Sequence, residues 1–213
     1  MFDAVKDVIA QSVLPFFDEL LWEWTNVIER TVRMWHQTDV PWWYNERASL
    51  SLFAGAVWKA GGIAFEEFSS TREGPNSEEA PMIGRRMGRI DLCFTYQGTR
   101  FVTEAKQCWS PIGSRAGSAR AEIERMLQQA SADVLTAPEY YGRRLALVFA
   151  SPYFPQSEFG VASERLVQWK QVVESVDSYG KAFYWLHDCQ WTVDEGYLYP
   201  GAAIFIRQAA AEA

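Results

Sequence analysis

Apolar residues recur at helical spacing directly after Asn45, and this pattern predicts a helix from Glu46 to Lys59. Asn45 is a favourable N-cap, because its side chain can accept a hydrogen bond from a free N–H group of the first turn. Gly61 and Gly62 then end the helix. The apolar residues that have this helical spacing are Leu50, Phe53, Ala54, Val57 and Trp58.

Runs of residues typical of strands follow this helix. Ile63–Ser70 predicts a first strand, and the polar segment from Thr71 to Arg86 predicts a loop. Arg89–Tyr96 and Thr99–Cys108 predict the two arms of a β-hairpin, and Gln97-Gly98 has the length and composition of its turn.

A helix and a buried strand complete the central part of the chain. The segment from Ser118 to Leu135 carries apolar residues on one helical face, namely Ile123, Leu127, Ala130 and Val134. Leu145–Ala150 is a short, continuous apolar run, which is typical of a buried parallel strand. The order of elements is therefore helix, three strands, helix, strand, in an α/β fold.

The two ends of the chain predict additions to this core within one domain, residues 1–213. Residues 1–44 predict N-terminal helices, because Val5, Val8 and Ile9 have helical spacing and a second apolar stripe follows Pro15. Residues 45–152 form the core. Residues 153–213 predict an α+β extension, with a helix over 162–176 and strands over 182–186 and 202–207 that extend the sheet or cover its edge.

The hairpin brings charged residues together. If Gln97-Gly98 is a two-residue loop, Tyr96 pairs with Thr99 and Asp91 lies directly opposite Glu104. Lys106 then points to the same face as Glu104, since side chains alternate along a strand. Two facing carboxylates repel each other, and a divalent cation between them removes the repulsion. The pattern therefore predicts a metal site with a lysine beside it, whereas a solvated cluster of surface charges is the alternative.

This arrangement resembles the PD-(D/E)xK nuclease superfamily, which has the restriction-endonuclease-like fold. Asp91, followed after twelve residues by Glu104-Ala105-Lys106, matches the motif of that family, although Ile90 stands where the family usually has proline. Glu46 matches the glutamate that many members carry near the start of the first helix, and Glu66 and Glu67 are weaker candidates. The resemblance covers roughly residues 45–151, and the family core has the element order given above.

The resemblance implies a catalytic site of Asp91, Glu104, Lys106 and Glu46. It also implies that Mg²⁺ or Mn²⁺ is bound by Asp91, Glu104 and the backbone carbonyl of Ala105. Hard oxygen ligands suit these cations, which lower the pKa of a bound water and polarise a phosphoryl group. We expect a bound cation to lower the pKa of Lys106, opposed by the two carboxylates.

Composition narrows the setting. The chain has 213 residues, of which 48% are hydrophobic and 15% are aromatic, and most of the aromatic residues are expected in the core. Cys93, Cys108 and Cys189 lack metal-ligand spacing and cannot all form pairs, which favours a reducing cytoplasm over a disulfide framework. Acidic residues interrupt the apolar N-terminal stretch, which argues against a membrane span.

Charge is distributed unevenly. The formal net charge is −7, yet seven cations face only two carboxylates between Pro81 and Arg120. We therefore expect a nucleic-acid partner whose phosphates are contacted by Arg85, Arg86, Arg89, Arg115 and Arg120. The helix that begins near Ser118 could receive a phosphate at its N-terminus as well.

Two functions follow from this reading. The first is a divalent-metal-dependent nuclease that hydrolyses phosphodiester bonds, with DNA as the expected substrate. The second is a catalytically silent subunit with the nuclease fold, which would act as a structural or protein-binding module in a complex or homo-oligomer through its N-terminal helices. An intact Asp, Glu and Lys favours the first function. The Gln-x-x-x-Tyr signature of RecB-like exonucleases is not found after Gln128 or Gln129.

Overall fold

The computed structural model describes residues 4–10, 16–36, 38–72, 86–113, 116–137 and 141–209. Over these residues the protein is an α/β structure with one open mixed sheet and four α-helices. The helices are α1 (Phe16–Met34), α2 (Glu46–Lys59), α3 (Ala116–Leu135) and α4 (Ala162–Ser175). The strands are β1 (Ala4–Ala10), β2 (Ile63–Arg72), β3 (Arg86–Tyr96), β4 (Thr99–Pro111), β5 (Arg143–Pro155), β6 (Gly180–Leu186), β7 (Val193–Asp194), β8 (Tyr197–Leu198) and β9 (Gly201–Gln208).

The sheet has the strand order β1-β6-β9-β5-β4-β3-β2, and the hairpin of β7 and β8 is attached to the end of β5. Strands β4 and β5 run parallel, whereas the other described neighbours are antiparallel. Helix α3 makes the crossover that a parallel pair requires. The parallel strand expected at Leu145–Ala150 is thereby confirmed, and strands β6 and β9 extend the sheet.

The element order predicted for the core is present from α2 to β5. Helix α2 begins and ends at the expected residues, and the side-chain oxygen of Asn45 accepts a hydrogen bond from the N–H of Ala48 at 3.1 Å. Gly61 has a φ of 84°, a left-handed conformation that ends the helix at no steric cost. Within the predicted loop Thr71–Arg86, residues 73–85 lie outside the described part of the chain.

Helices cover both faces of the central strands. Phe101 on β4 packs against Phe17 of α1, with ring centroids 5.5 Å apart, and it stacks on Phe94 of β3 at 4.8 Å. The next residue, Val102, packs instead in a cluster with Val134 of α3. Because adjacent residues of a strand point to opposite faces, α1 and α3 lie on opposite sides of the sheet.

The N-terminal segment corrects the sequence prediction. Residues 4–10 form an edge strand, where helical spacing predicted a helix, and they pair antiparallel with β6 from Ala4–Leu186 to Ala10–Gly180. Val5, Val8 and Ile9 are half-buried and pack against the core. So short a segment has no helix stability of its own, whereas β6 offers a ladder of backbone partners along a strand that is buried throughout. Helix α1 is confirmed.

Of the helices in the described ranges, none is long and apolar enough to cross a membrane.

Candidate functional site

The hairpin of β3 and β4 has the predicted register. Tyr96 pairs with Thr99, and the pairing continues to Leu92–Thr103. Gln97 and Gly98 have φ values of 45° and 74°, so both residues of the turn are left-handed, as two-residue hairpin turns of this type require. The turn prediction is therefore confirmed, whereas the described ladder ends one pair short of the predicted pairing of Asp91 with Glu104, which stays a prediction.

Next to the end of this ladder, at Asp91, hydrogen bonds between side chains and the backbone join β3 and β4. A carboxylate oxygen of Asp91 (Oδ2) accepts a hydrogen bond from the backbone N–H of Ala105 at 2.9 Å. The hydroxyl of Thr103 donates to the carbonyl oxygen of Leu92 at 3.2 Å. Asp91 is consequently held by one of its oxygens against the Glu-x-Lys segment of β4.

Strand β2, which pairs with the other edge of β3, has an irregular backbone opposite Asp91. In β2, Glu66 pairs with Leu92 and Phe68 pairs with Ile90, while Glu67 between them has a φ of 54°. Ile90 and Cys93 both pack in the cluster around Val134, although regular alternation would place them on opposite faces. The alternation of side chains therefore reverses near Asp91, which the period-two pattern in the sequence did not show.

Glu46 reaches this place from the first residue of α2. Its carboxylate accepts a hydrogen bond from the backbone N–H of Gln107, and the group is half-buried. Burial raises the pKa of Glu46, and the negative charge of Asp91 raises it further, while Lys106 opposes both effects. The structure thus brings together the two predicted carboxylates, Glu46 and Asp91, although they lie on different elements.

Glu104 is the most deeply buried of the predicted acidic residues. It is 5% exposed and pairs across the sheet with Ala146 of β5. A carboxylate in such a position is stable only with polar or cationic partners, because burying an isolated charge costs several kcal/mol or more. Its neighbour Ala105 is fully buried, and its N–H is the group bound by Asp91.

Lys106 lies beside the carboxylates and has a partner that the sequence did not suggest. Its amine is 2.9 Å from Oδ2 of Asp133 on α3. Burial lowers the pKa of Lys106, but the hydrogen bond and charge of Asp133, with added contributions from Glu46 and Asp91, outweigh it and raise the pKa above its usual value. The protein groups alone therefore shift this pKa in the direction opposite to that expected from a bound cation.

Two residues of the site escaped prediction. Asp133 directly precedes Val134 at the border of the apolar face of α3, and this position was the only signal in the sequence. Gln107 follows Lys106, and its side-chain amide donates to the carbonyl oxygen of Tyr44 at 3.0 Å. This bond ties the segment before Glu46 to β4, so that the start of α2 and the strand keep one relative position.

The predicted phosphate-binding arginines are only partly within the described residues. Arg89 is exposed and forms an ion pair with Glu67, whose other oxygen is 2.5 Å from Arg47 of α2. Arg120 is exposed on α3. Arg86 lies at the start of β3, whereas Arg85 and Arg115 fall outside the described ranges.

The donor set suits a hard divalent cation in kind, since Glu46 and Asp91 offer carboxylate oxygens within electrostatic reach of each other. Among the residues described, however, no three His, Cys, Asp or Glu side chains form a group that could hold a metal ion. The three thiols, Cys93, Cys108 and Cys189, are buried and free.

Comparisons with protein-family models, curated proteins and solved structures found no match to this chain. Its function is therefore inferred from its own residues.

Proposed function

We propose that the protein is a divalent-metal-dependent nuclease that acts on DNA and whose core belongs to the restriction-endonuclease-like fold. The observation that carries this proposal is the proximity of Glu46, Asp91 and Lys106, which come from one helix and two strands: the charge of Asp91 contributes to the raised pKa of Glu46 and to the raised pKa of Lys106. The order of elements supports this fold: it runs through helix α2, the antiparallel strands β2, β3 and β4, helix α3 and the parallel strand β5.

Asp91 and Glu46 would hold the cation, and Glu104 with the carbonyl of Ala105 are the further ligands that the family resemblance implies. The charges of Asp91 and Glu46 support this role, because Asp91 disfavours the ionised form of Glu46 and a cation would relieve that repulsion. A bound Mg²⁺ or Mn²⁺ supplies an acidified water and neutralises charge on the phosphate. The hydrogen bond from the Ala105 N–H occupies one oxygen of Asp91, so the other oxygen is the one that would be available to a cation.

Lys106 acts in this proposal as a charged hydrogen-bond donor to a phosphate oxygen, and it keeps its proton. Its raised pKa keeps the amine charged at neutral pH, so it is a poor base and a good hydrogen-bond donor. Asp133 orients the amine and sustains its charge. Lys106→Met should lower cleavage by about 100-fold or more while leaving DNA binding nearly unchanged.

Cleavage assays test the proposal directly. Purified protein is incubated with linear duplex, circular duplex, single-stranded DNA and RNA, in the presence of Mg²⁺, Mn²⁺ or EDTA. We expect cleavage of DNA that EDTA abolishes and that Asp91→Asn removes. Cleavage that survives EDTA, or that persists in both Asp91→Asn and Glu104→Gln, would overturn the site assignment.

The second candidate is a silent subunit with the same fold, and specific contacts favour it. Asp133 pairs with Lys106, and Glu67 pairs with Arg89, so two of the cations proposed to meet phosphates already have protein partners. A binding titration with DNA at low salt, with Ca²⁺ replacing Mg²⁺ to prevent turnover, separates the candidates. The absence of binding by the wild type would favour the subunit.

A further inference from the structure

A pocket of about 440 Å³ lies at the ends of strands β4 and β5, outside the proposed active site. Its described walls are five aromatic side chains and two carboxylates. The aromatic residues are Trp43, Trp109, Tyr153, Tyr197 and Tyr199. Its volume lies within the range of pockets that bind small organic molecules.

Three of the rings that line the pocket contact the ring of Tyr199. The centroid of Tyr199 is 5.3 Å from that of Trp109, 5.9 Å from that of Trp43 and 5.8 Å from that of Tyr153. Tyr153 and Tyr199 are stacked, whereas Trp109 meets Tyr199 edge to face. Aromatic faces carry negative partial charge, and several faces around one space form a site for a cation.

Hydrogen bonds from side chains to backbone carbonyls, together with strand pairing, hold the walls of the pocket in place. The indole N–H of buried Trp42 donates to the carbonyl oxygen of Tyr199 at 3.0 Å, and the hydroxyl of Ser151 donates to the carbonyl oxygen of Trp42 at 3.1 Å. The β7–β8 hairpin is joined to β5 through the pairs Phe154–Leu198 and Pro155–Tyr197. The walls are therefore preorganised, which reduces the ordering cost of binding.

The charge at the rim has one sign. Asp194 and Glu195 are exposed and line the pocket next to Tyr197. Burial raises the pKa of Tyr199, and the negative charges of Asp194 and Glu195 are among the groups that raise it further. The described lining includes no Lys or Arg that would neutralise these negative charges. Such a surface repels phosphate and attracts cations.

We propose that this pocket binds an organic cation, that is, an alkylammonium or guanidinium group with its apolar flank against the five rings and its charge facing Asp194 and Glu195. The same chemistry occurs in free amines and in the Lys or Arg side chains of proteins. The pocket does not depend on the proposed nuclease activity, because neither the carboxylates near Lys106 nor any metal enters into it.

Calorimetric titration of the full-length protein tests the proposal. The probes are choline, its neutral isostere 3,3-dimethylbutan-1-ol, acetyl-arginine amide, a short Arg/Lys peptide and dTMP. We expect each cation to bind about tenfold or more tightly than the neutral isostere, with dTMP not binding. Tighter binding by the peptide than by choline would identify a protein side chain as the source, and the reverse order would identify a free amine.

Variants locate the binding. Trp109→Ala and the double variant Asp194→Asn/Glu195→Gln should each weaken binding of the cations about tenfold or more, because one removes a ring and the other removes the rim charge. Trp58→Ala is a matched control, since Trp58 is an exposed tryptophan on α2 outside the pocket. Glu164→Gln is the control for charge, because Glu164 is exposed on α4. Both controls should bind like the wild type.

Three results would overturn the proposal. The first is equal binding of choline and its neutral isostere, which would mean that charge is not recognised. The second is binding of dTMP without binding of the cations, which would mean that the rings stack on nucleobases. The third is no binding of any cation at about 1 mM.

Discussion

The amine of Lys106 lies 2.9 Å from a carboxylate oxygen of Asp133, which joins a strand of the candidate site to the helix that covers it. The two side chains are 21% and 43% exposed, so the pair is accessible from solvent. A phosphate that approached Lys106 would meet an amine that is already oriented and charged. Asp133 is therefore a positioning residue in the proposed nuclease, and removal of its charge should be measurable at Lys106 itself.

Asp133→Asn should lower the pKa of Lys106, because burial would act with less opposition. The raised pKa of the wild type contributes stability below the pKa of an unfolded lysine, about 10.4, and this contribution is lost as the pH rises through the folded pKa. The variant should therefore be less stable at neutral pH, by at most about 1 kcal/mol for so exposed a pair. NMR titration of the lysine side chains measures the pKa, with the exposed Asp188→Asn as control. An unchanged Lys106 pKa would contradict the assignment.

Substitutions of Asp91 should separate its charge from its hydrogen bond to Ala105. Asp91→Asn keeps an acceptor for that N–H and should unfold near the wild-type temperature, whereas Asp91→Ala loses the acceptor and should cost about 1 kcal/mol or more. Both variants should lose cleavage by about 100-fold or more, because both lack the charge. Thermal unfolding and cleavage are measured on the same preparations. Equal stability of the two variants would show that the hydrogen bond contributes nothing.

Glu46→Gln should stabilise the protein at neutral pH. The pKa of Glu46 is raised in the fold, so its ionised form is disfavoured, and the wild type loses stability as the pH rises from the unfolded value of about 4.3 through the folded pKa. The difference between the two proteins should vanish below about pH 4. Mg²⁺ should raise the unfolding temperature of the wild type more than that of the variant, since a ligand of the native state stabilises it by mass action. A variant less stable than the wild type at pH 7 would contradict this reading.

Glu67→Gln should strengthen binding of DNA, because it releases Arg89 and Arg47 from their shared partner. Arg89→Gln should weaken binding similarly for all sequences and reduce its dependence on salt. Fluorescence anisotropy with Ca²⁺ in place of Mg²⁺, at several salt concentrations, measures both effects. Glu164→Gln on α4 serves as the charge control. Weaker binding by Glu67→Gln than by the wild type would show that the ion pair positions Arg89 for phosphate instead of withholding it.

The sequence predicted correctly those features of the fold that depend on residues close together in the chain. The Asn45 cap and the Gln97-Gly98 turn fixed the start of α2 and the register of the hairpin, because each involves residues that are neighbours in the sequence. The partner of Lys106 could not be predicted, since Asp133 meets it only after α3 has folded back on the sheet. The reversal at Glu67 was hidden for a similar reason, because nothing in its identity requires a left-handed backbone.

The N-terminal strand is a feature that the sequence predicted wrongly, because its partner lies far along the chain. Val5, Val8 and Ile9 fit helical spacing, but the segment forms a strand because its backbone pairs with the edge of β6. Seven-residue segments are ambiguous whenever their partner lies far along the chain. The sequence predicted most aromatic residues to be in the core and did not single out those of the pocket, where Trp109 is 42% exposed and the rings around it line a surface cavity.

The pairing of β1 with β6 also sets an order of events during synthesis. Strand β1 leaves the ribosome well before β6, and all of the chain from α1 to α4 is made in between. Until then β1 has an unpaired backbone, and once β6 has formed without it, the buried sequence of β6 becomes a sheet edge open to other chains. Late docking of β1 would therefore prolong the time in which this edge can pair with another chain.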